Sequence, residues 1–330
     1  MRNLWLKGNL HTHTNRSDGD SDPEEVCRYY ADRGYDFLSI TDHNRYFGPE
    51  DLSPDAHPSL GQASAHGLGS FDRLLVIPGS EISTTSDDEP TTPLHVNGLG
   101  ITGLPAVERG PTKAATLQNC IDAVVAAGGI AQINHPNFGY AFDHSDMIRT
   151  RGARLLEVYN GHPLVFNNGD EDHISVEEMW DHLLTAGALI YGTAVDDSHH
   201  FTGEFGPQRA NPSRGWIRAR VRTRVPTARE VLRALAVGDF YASNGVELED
   251  VFVDAWTLHV VVRSAEPGEF VTQFIGDGGE VVDESREAHS TFNLREAGGR
   301  TYIRAKVIAR DGSCAWCQPR LIPKFWRTRT

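Results

Sequence analysis

Fifteen histidines are spread through 330 residues, and where they stand says more than how many there are. His11-Thr12-His13 sets two imidazoles two residues apart, and in extended backbone such residues point the same way and can reach one ion. Asp18 follows in a Ser17-Asp18-Gly19 turn. Further along stand Thr41-Asp42-His43-Asn44, Pro78-Gly79-Ser80-Glu81, Leu94-His95-Val96-Asn97, Asn134-His135-Pro136 and Asp196-Asp197-Ser198-His199. Imidazole and carboxylate are the donors that borderline divalent metals prefer, and a bridging carboxylate lets two ions sit close together. Two such ions acidify a bridging water, so the chemistry this set suits is hydrolysis by hydroxide at neutral pH. Any one histidine or strand-end aspartate is more often a satisfied polar group or a cap. His11, His13, Asp18, His43, Glu81, His95, His135, Asp197 and His199, all in register with strand ends, are a joint signal that coincidence explains poorly.

Such residues need elements that deliver them to one place. Short apolar runs over 4–10, 36–40, 74–78, 94–98, 129–133, 155–159 and 189–193 read as strands buried on both faces. Helix starts are marked by Asp22-Pro23-Glu24-Glu25, Ser175-Val176-Glu177-Glu178 and Thr227-Ala228-Arg229-Glu230, with stops near Gly34, Gly187 and Gly238. A further helical pattern runs from Ala114 to Ala127 and stops at Gly128-Gly129. Alternating βα units of this number predict an α/β protein built on a parallel barrel, whose active site lies at the C-terminal ends of its strands. After about Gly245 the texture becomes β-rich with Gly and Asp turns and no helix signal, which predicts a small sandwich. The expected division is a metal-binding barrel over 1–246 and a C-terminal β-rich domain over 247–330 without a chemistry-bearing cluster of its own.

The motifs His11-Thr12-His13 with Ser17-Asp18-Gly19, Thr41-Asp42-His43, Glu81, Asn134-His135-Pro136 and Asp197-Ser198-His199 resemble, in order, type and spacing, those of the PHP (polymerase and histidinol phosphatase) superfamily. The resemblance covers roughly residues 8 to 246, and the tail resembles the extension of the branch that includes CehA/McbA-type metallohydrolases. It implies a distorted (β/α)7 barrel with a small C-terminal all-β domain, and a trinuclear site. By motif position, the resemblance implies that His11, His13, Glu81 and Asp197 hold one metal. Glu81 would bridge to a second, completed by His95 and His135, while Asp18, His43 and His199 would hold a third. Of the adjacent Asp196 and Asp197, the latter stands two before His199, on the same side of an extended chain; His200 is expected to point away. Aspartate at the third position is harder than imidazole, so manganese or iron is favoured over zinc, or the third of the two or three divalent ions is partly occupied.

The expected activity is that of a phosphoesterase acting on a small phosphate ester or nucleotide, with Asp197, His199 and Glu81 as the catalytic set. Hydrolysis of a carbamate, ester or amide at the same metals is the alternative, and a non-catalytic metal-stabilised binding module is a third reading. Asp42, Asn44, Asn134 and Asn160 are candidates to support the ligands or the substrate, and Arg16, Arg45 and Arg214 to clamp a phosphate. His57, His66, His144, His162, His173, His182, His259 and His289 fit no motif and read as structural or surface residues. Segments 45–72 and 82–93 have the length of lids. A net charge of −14 argues against a long nucleic acid but permits a small anionic substrate. No long apolar run or secretory leader is evident, so a cytoplasmic location is expected. Cys27, Cys120 and the Cys314-Ala-Trp-Cys317 pair read as reduced, structural thiols.

Overall fold

The structure is a computed structural model that describes residues 4–52, 74–223, 225–263 and 268–323. The larger part of the expected lid over 45–72, with His57 and His66, lies outside the described residues. Each of the seven apolar runs contains a strand. β1 (Leu4–Asn9), β2 (Phe37–Leu38) and β3 (Leu75–Val76) pair in parallel. β4 (Gly79–Thr84), β5 (Leu94–Leu99) and β6 (Ile130–Ile133) run antiparallel, and β7 (Leu155–Asn160) and β8 (Tyr191–Val195) follow β6 in parallel. β9 (Trp216–Val221) and β10 (Phe240–Ser243) add antiparallel strands beside β1.

Three helices begin where the capping signals place them, at Asp22, Ser175 and Thr227. In α1 (Pro23–Asp32) the Asp22 carboxylate accepts from the backbone N–H of Glu24 and Glu25. α2 (Lys113–Ala126) starts from Thr112, and the short α3 (His144–Met147) from Asp143. α4 (Val176–Thr185) opens on a Ser175–Glu178 capping box. α5 (Ala228–Val237) ends at Gly238, whose φ of 69° and close approach to the Tyr191 ring leave no room for a Cβ.

A closed (β/α)7 barrel is not what these strands form. Among the described residues no sheet closes: β4 to β8 make one open sheet, and β1 to β3 belong to another together with β9 and β10. The physical reason is that β2 and β3 are two residues long and the β4–β5–β6 stretch is antiparallel, so no continuous ladder can run round. Single bridges join the sheets instead, and two of them fall at the chemistry: Thr12 to Ser198 and His43 to Glu81.

The C-terminal strands are β11 (Leu248–Asp254), β12 (Thr257–Val262), β13 (Phe270–Ile275), β14 (Val281–Ser285), β15 (His289–Asn293), β16 (Tyr302–Ala309), β17 (Cys314–Cys317) and β18 (Arg320–Leu321). β11, β12 and β15 form a three-stranded sheet over a core that includes Leu248, Leu258, Val260, Phe274, Phe292 and Ile303. The opposite sheet is shared. β17 pairs with β10, so β14, β13, β16 and β17 continue the ten-stranded sheet that contains β1. A buried ion cluster seals the seam: Asp181 of α4 accepts from Arg304 Nε (2.7 Å) and Nη2 (2.6 Å) and from the Tyr302 hydroxyl (2.6 Å). All four cysteines are free and buried, and burial pushes Cys27, Cys120 and Cys317 up to about 12, which keeps those thiols neutral. No helix among the described residues is long and apolar enough to cross a membrane.

Candidate metal centre

The loop after β1 carries His11 and His13 on either side of Thr12, which is pinned to Ser198 by the bridge and by hydroxyl–hydroxyl contact at 2.6 Å. Asp42 does not orient the neighbouring imidazole. It accepts from Thr14 N–H, the Thr14 hydroxyl and the Ser17 hydroxyl, each at 2.7 Å, and so fixes the turn that presents Asp18. Gly19 is required in that turn, because a Cβ there would lie 2.8 Å from the His13 backbone. Glu81 and His95 arrive by a route different from the one expected. They sit inside the antiparallel β4–β5 hairpin, where Ser83 is opposite His95 and Glu81 opposite Asn97. Asp197 adopts a left-handed φ of 48°, unusual for a residue with a side chain, just after β8.

All nine expected residues converge. Their donor atoms fall into four overlapping groups: His13, Asp18, His43 and His199; His11, His13 and Glu81; His11, His135 and Asp197; His43, Glu81 and His95. Glu81 Oε1 lies 3.4 Å from His11 Nε2, 3.0 Å from His95 Nδ1 and 3.3 Å from His135 Nε2. Asp197 Oδ1 lies 3.3 Å from His11 Nε2 and 3.1 Å from His13 Nε2. Asp18 is 3.4 Å from a ring nitrogen of each of His13, His43 and His199. Ligand atoms at about 2.1 Å from a common ion in tetrahedral arrangement stand about 3.4 Å apart, so these spacings suit shared cations. The Glu81 Oε2 atom gives a second test of fit. It is buried with no hydrogen bond of good geometry, and the polar atoms nearest it are imidazole nitrogens, His43 Nδ1 at 2.9 Å and His13 Nε2 at 3.5 Å. An orphaned carboxylate oxygen facing imidazoles is what a cation would satisfy.

The electrostatics agree. Burial favours a neutral Glu81, but the charges of His95 and His11 outweigh it and hold the carboxyl well below the usual range. Burial likewise opposes the charged form of Asp197, and His11 and His13 overcome it. Among the imidazoles, burial lowers His13, whereas for His11, His43, His135 and His199 the surrounding carboxylates override burial and raise the pKa, that of His43 to about 10. Of these rings His43, at about 10, holds its proton at neutral pH in the ion-free protein. Cation uptake at pH 7 is expected to release protons, and apparent affinity to rise as pH climbs towards 10. Calorimetric titration in buffers of different ionisation enthalpy checks this; proton-neutral uptake would contradict it.

The supporting residues divide. Asn134 donates to Glu81 Oε1 (2.8 Å), and Asn160 to Asp197 Oδ2 (3.2 Å). Asn44 exchanges hydrogen bonds with the Ser83 backbone. Asp196 faces away, accepting from Tyr30 and from the N–H groups of Ser213, Arg214 and Gly215. Neither Arg16 nor Arg214 is directed at the cluster. Arg16 pairs with Asp51 at 3.1 Å, and Arg214 donates to the carbonyls of Gly161 and Gly206, while Arg45 is exposed.

Two features escaped the sequence reading. Glu157 is fully buried and accepts from His11 Nδ1 at 2.6 Å; an acid inside the apolar run Leu155-Leu156-Glu157-Val158 was the available signal. His162 packs its ring 5.4 Å from that of His199 and 5.9 Å from Phe138, which in turn lies 5.4 Å from His135. Phe138 and His162 thus wall one side of the cluster.

No family model matches the chain, and no curated protein matches it. Among solved structures it is similar to a two-domain protein from Bacteroides vulgatus containing a predicted PHP-like metal-dependent phosphoesterase, at 16% identity over 96% of each chain, with a TM-score of 0.49. It is also similar to an amidohydrolase from Chromobacterium violaceum, at 18% identity over 62% of this chain and 93% of that one (TM-score 0.38). A candidate metal-dependent phosphoesterase from Bifidobacterium adolescentis is 14% identical over 62% and 89% of the two chains (TM-score 0.41).

Proposed function

We propose that the protein is a metal-dependent hydrolase, foremost a phosphoesterase cleaving a small phosphate ester or nucleotide. The convergence of six imidazoles and three carboxylates on one small region carries this reading. In it, His11, His13, Glu81 and Asp197 hold a first divalent ion, Glu81 with His95 and His135 a second, and Asp18, His43 and His199 a third. Bound divalent ions would supply Lewis acidity, acidifying water and polarising a substrate oxygen.

The residues themselves do the rest. His199 donates Nδ1–H to the Asp197 carbonyl (3.0 Å), which leaves Nε2 free to face Asp18. Asp18, His43 and His199 retain some solvent exposure, whereas His11, His13 and Glu81 are sealed, so substrate enters from the outer three. Beside them His162 accepts Leu164 N–H on Nδ1 (3.2 Å), and burial pushes its pKa down to about 4. Its neutral ring then carries a proton on Nε2 and can donate a hydrogen bond to the leaving-group oxygen.

Charge supports an anionic substrate. The three ring carboxylates offset only half the charge of three divalent ions, and Glu157 offsets less than the remainder. With two ions the same four carboxylates give neutrality, and an uncharged substrate is then better suited. That dependence, together with the Phe138–His162 wall and the absence of Arg16 and Arg214 from the cluster, is what favours carbamate, ester or amide hydrolysis as the second reading.

Chelation is expected to abolish turnover, and manganese, iron or zinc to restore it. A panel of aryl phosphates, nucleotides and aryl carbamates at defined metal should show phosphate esters as the better substrates. Activity indifferent to chelator would sink the metal reading, and a carbamate preference would install the second one.

A further inference from the structure

Glu157 is outside the nine donors, yet its carboxylate bonds two of them directly and reaches a third through Asn160. Its Oε1 accepts from His11 Nδ1 (2.6 Å) and Gln132 Nε2 (2.9 Å). Its Oε2 accepts from the His135 backbone N–H (3.0 Å) and Asn160 Nδ2 (2.9 Å). Asn160 also donates to Asp197, and Gln132 is held by the Thr193 hydroxyl (3.1 Å), so the group ties β6, β7 and β8 together. A register irregularity in β7 between Glu157 and Tyr159 makes this possible. In a regular strand residues 157 and 160 face opposite ways; the bulge turns both inward.

We propose that Glu157 is a positioning residue that sets cation affinity at the two inner subsites and leaves the outer Asp18–His43–His199 subsite alone. The proposal rests on the metal reading above. By accepting His11 Nδ1–H, the carboxylate commits that ring to the tautomer whose Nε2 faces Glu81, His13 and Asp197. Through Oε2 it holds the backbone from which His135 projects. It has no hydrogen bond to Asp18, His43 or His199.

The test uses the full-length chain, Glu157→Gln, and zinc alone as probe. Binding is followed by competition with a chelating dye, and site by site through the side-chain nitrogen resonances of 15N-labelled histidines. A loss of about 10- to 100-fold in affinity is expected where His11, His95 and His135 report, with the His43 and His199 responses unchanged. The His11 Nδ1–H signature should be lost or shifted. Wild-type affinity with an unaltered His11 signature overturns the proposal, as does equal weakening at all subsites with a lowered unfolding midpoint, which marks a merely structural role. If Glu157→Gln does not fold, Gln132→Ala frees one partner of Oε1 and should give the same selective loss on a smaller scale; its absence in folded protein is equally fatal. Wild-type protein that binds no zinc would instead remove the metal reading, a failure told apart because hydrolysis is not measured.

Discussion

Glu81→Ala is expected to lower kcat/KM by about 10^3-fold or more, the scale on which losing a preorganised electrostatic group registers. Glu81 approaches five imidazoles, those of His11, His13, His43, His95 and His135, within 3.5 Å. No other side chain in the cluster touches as many. Alanine removes the proposed bridge between two cation subsites and leaves mutually repelling rings in a buried space. Metal content should fall together with turnover, whereas the β11–β12–β15 sheet and its core, which do not include Glu81, should stay folded. Steady-state kinetics with elemental analysis decides the matter. Full turnover in this variant would refute the assignment.

Asp181→Ala is expected to cost about 3–5 kcal/mol, the usual result of removing one partner from a buried ion pair. The Asp181 and Arg304 side chains are 5% and 1% exposed, and Arg304 lies over the Trp180 ring at 4.9 Å. Without Asp181 the guanidinium keeps Glu177 at 2.9 Å, and the Tyr302 hydroxyl loses its acceptor. A fall in the unfolding midpoint of about 5 °C should follow, read by circular dichroism. Turnover well below that midpoint should be retained, because Asp181, Tyr302 and Arg304 share no hydrogen bond or ion pair with the nine donors. Pairing Asp181→Leu with Arg304→Met should recover most of the loss, since an apolar pair avoids desolvating charge. A midpoint unchanged in Asp181→Ala would show that the seam is not held by these charges.

The site was largely legible in the sequence because its donors stand just beyond strands, where neither core packing nor helix periodicity dictates residue type. His11, His13, His43, His135, Asp197 and His199 are of this kind. Glu81 and His95 were legible as residues but not as topology, since short apolar runs carry no mark of parallel or antiparallel pairing. Closure of the barrel was inferred from the number of βα units, and the two-residue length of β2 and β3 could not be foreseen from a five-residue apolar run. Glu157 was visible as an acid inside an apolar run; what the bulge concealed is that it shares a face with Asn160, against the alternation that sequence reasoning relies on. His162 was hidden because a loop ring has no spacing rule to betray it. β9 went unread because arginines at 218 and 220 interrupt its apolar pattern; in the structure Arg218 pairs with Glu247 and Arg220 with Asp239.

The Tyr241–Cys317, Ala242–Trp316 and Ser243–Ala315 pairings have a consequence for how this chain could be cut or shuffled. A fragment ending at residue 246 would expose the bare hydrogen-bonding rim of β10, an invitation to aggregation, and would strip the Asp181 carboxylate of its Tyr302 and Arg304 partners. Gene fusion or truncation at that point would have to supply a substitute rim, such as a proline-bearing or lysine-rich edge. The tail behaves less like detachable cargo than like the far wall of the house in which the chemistry is done.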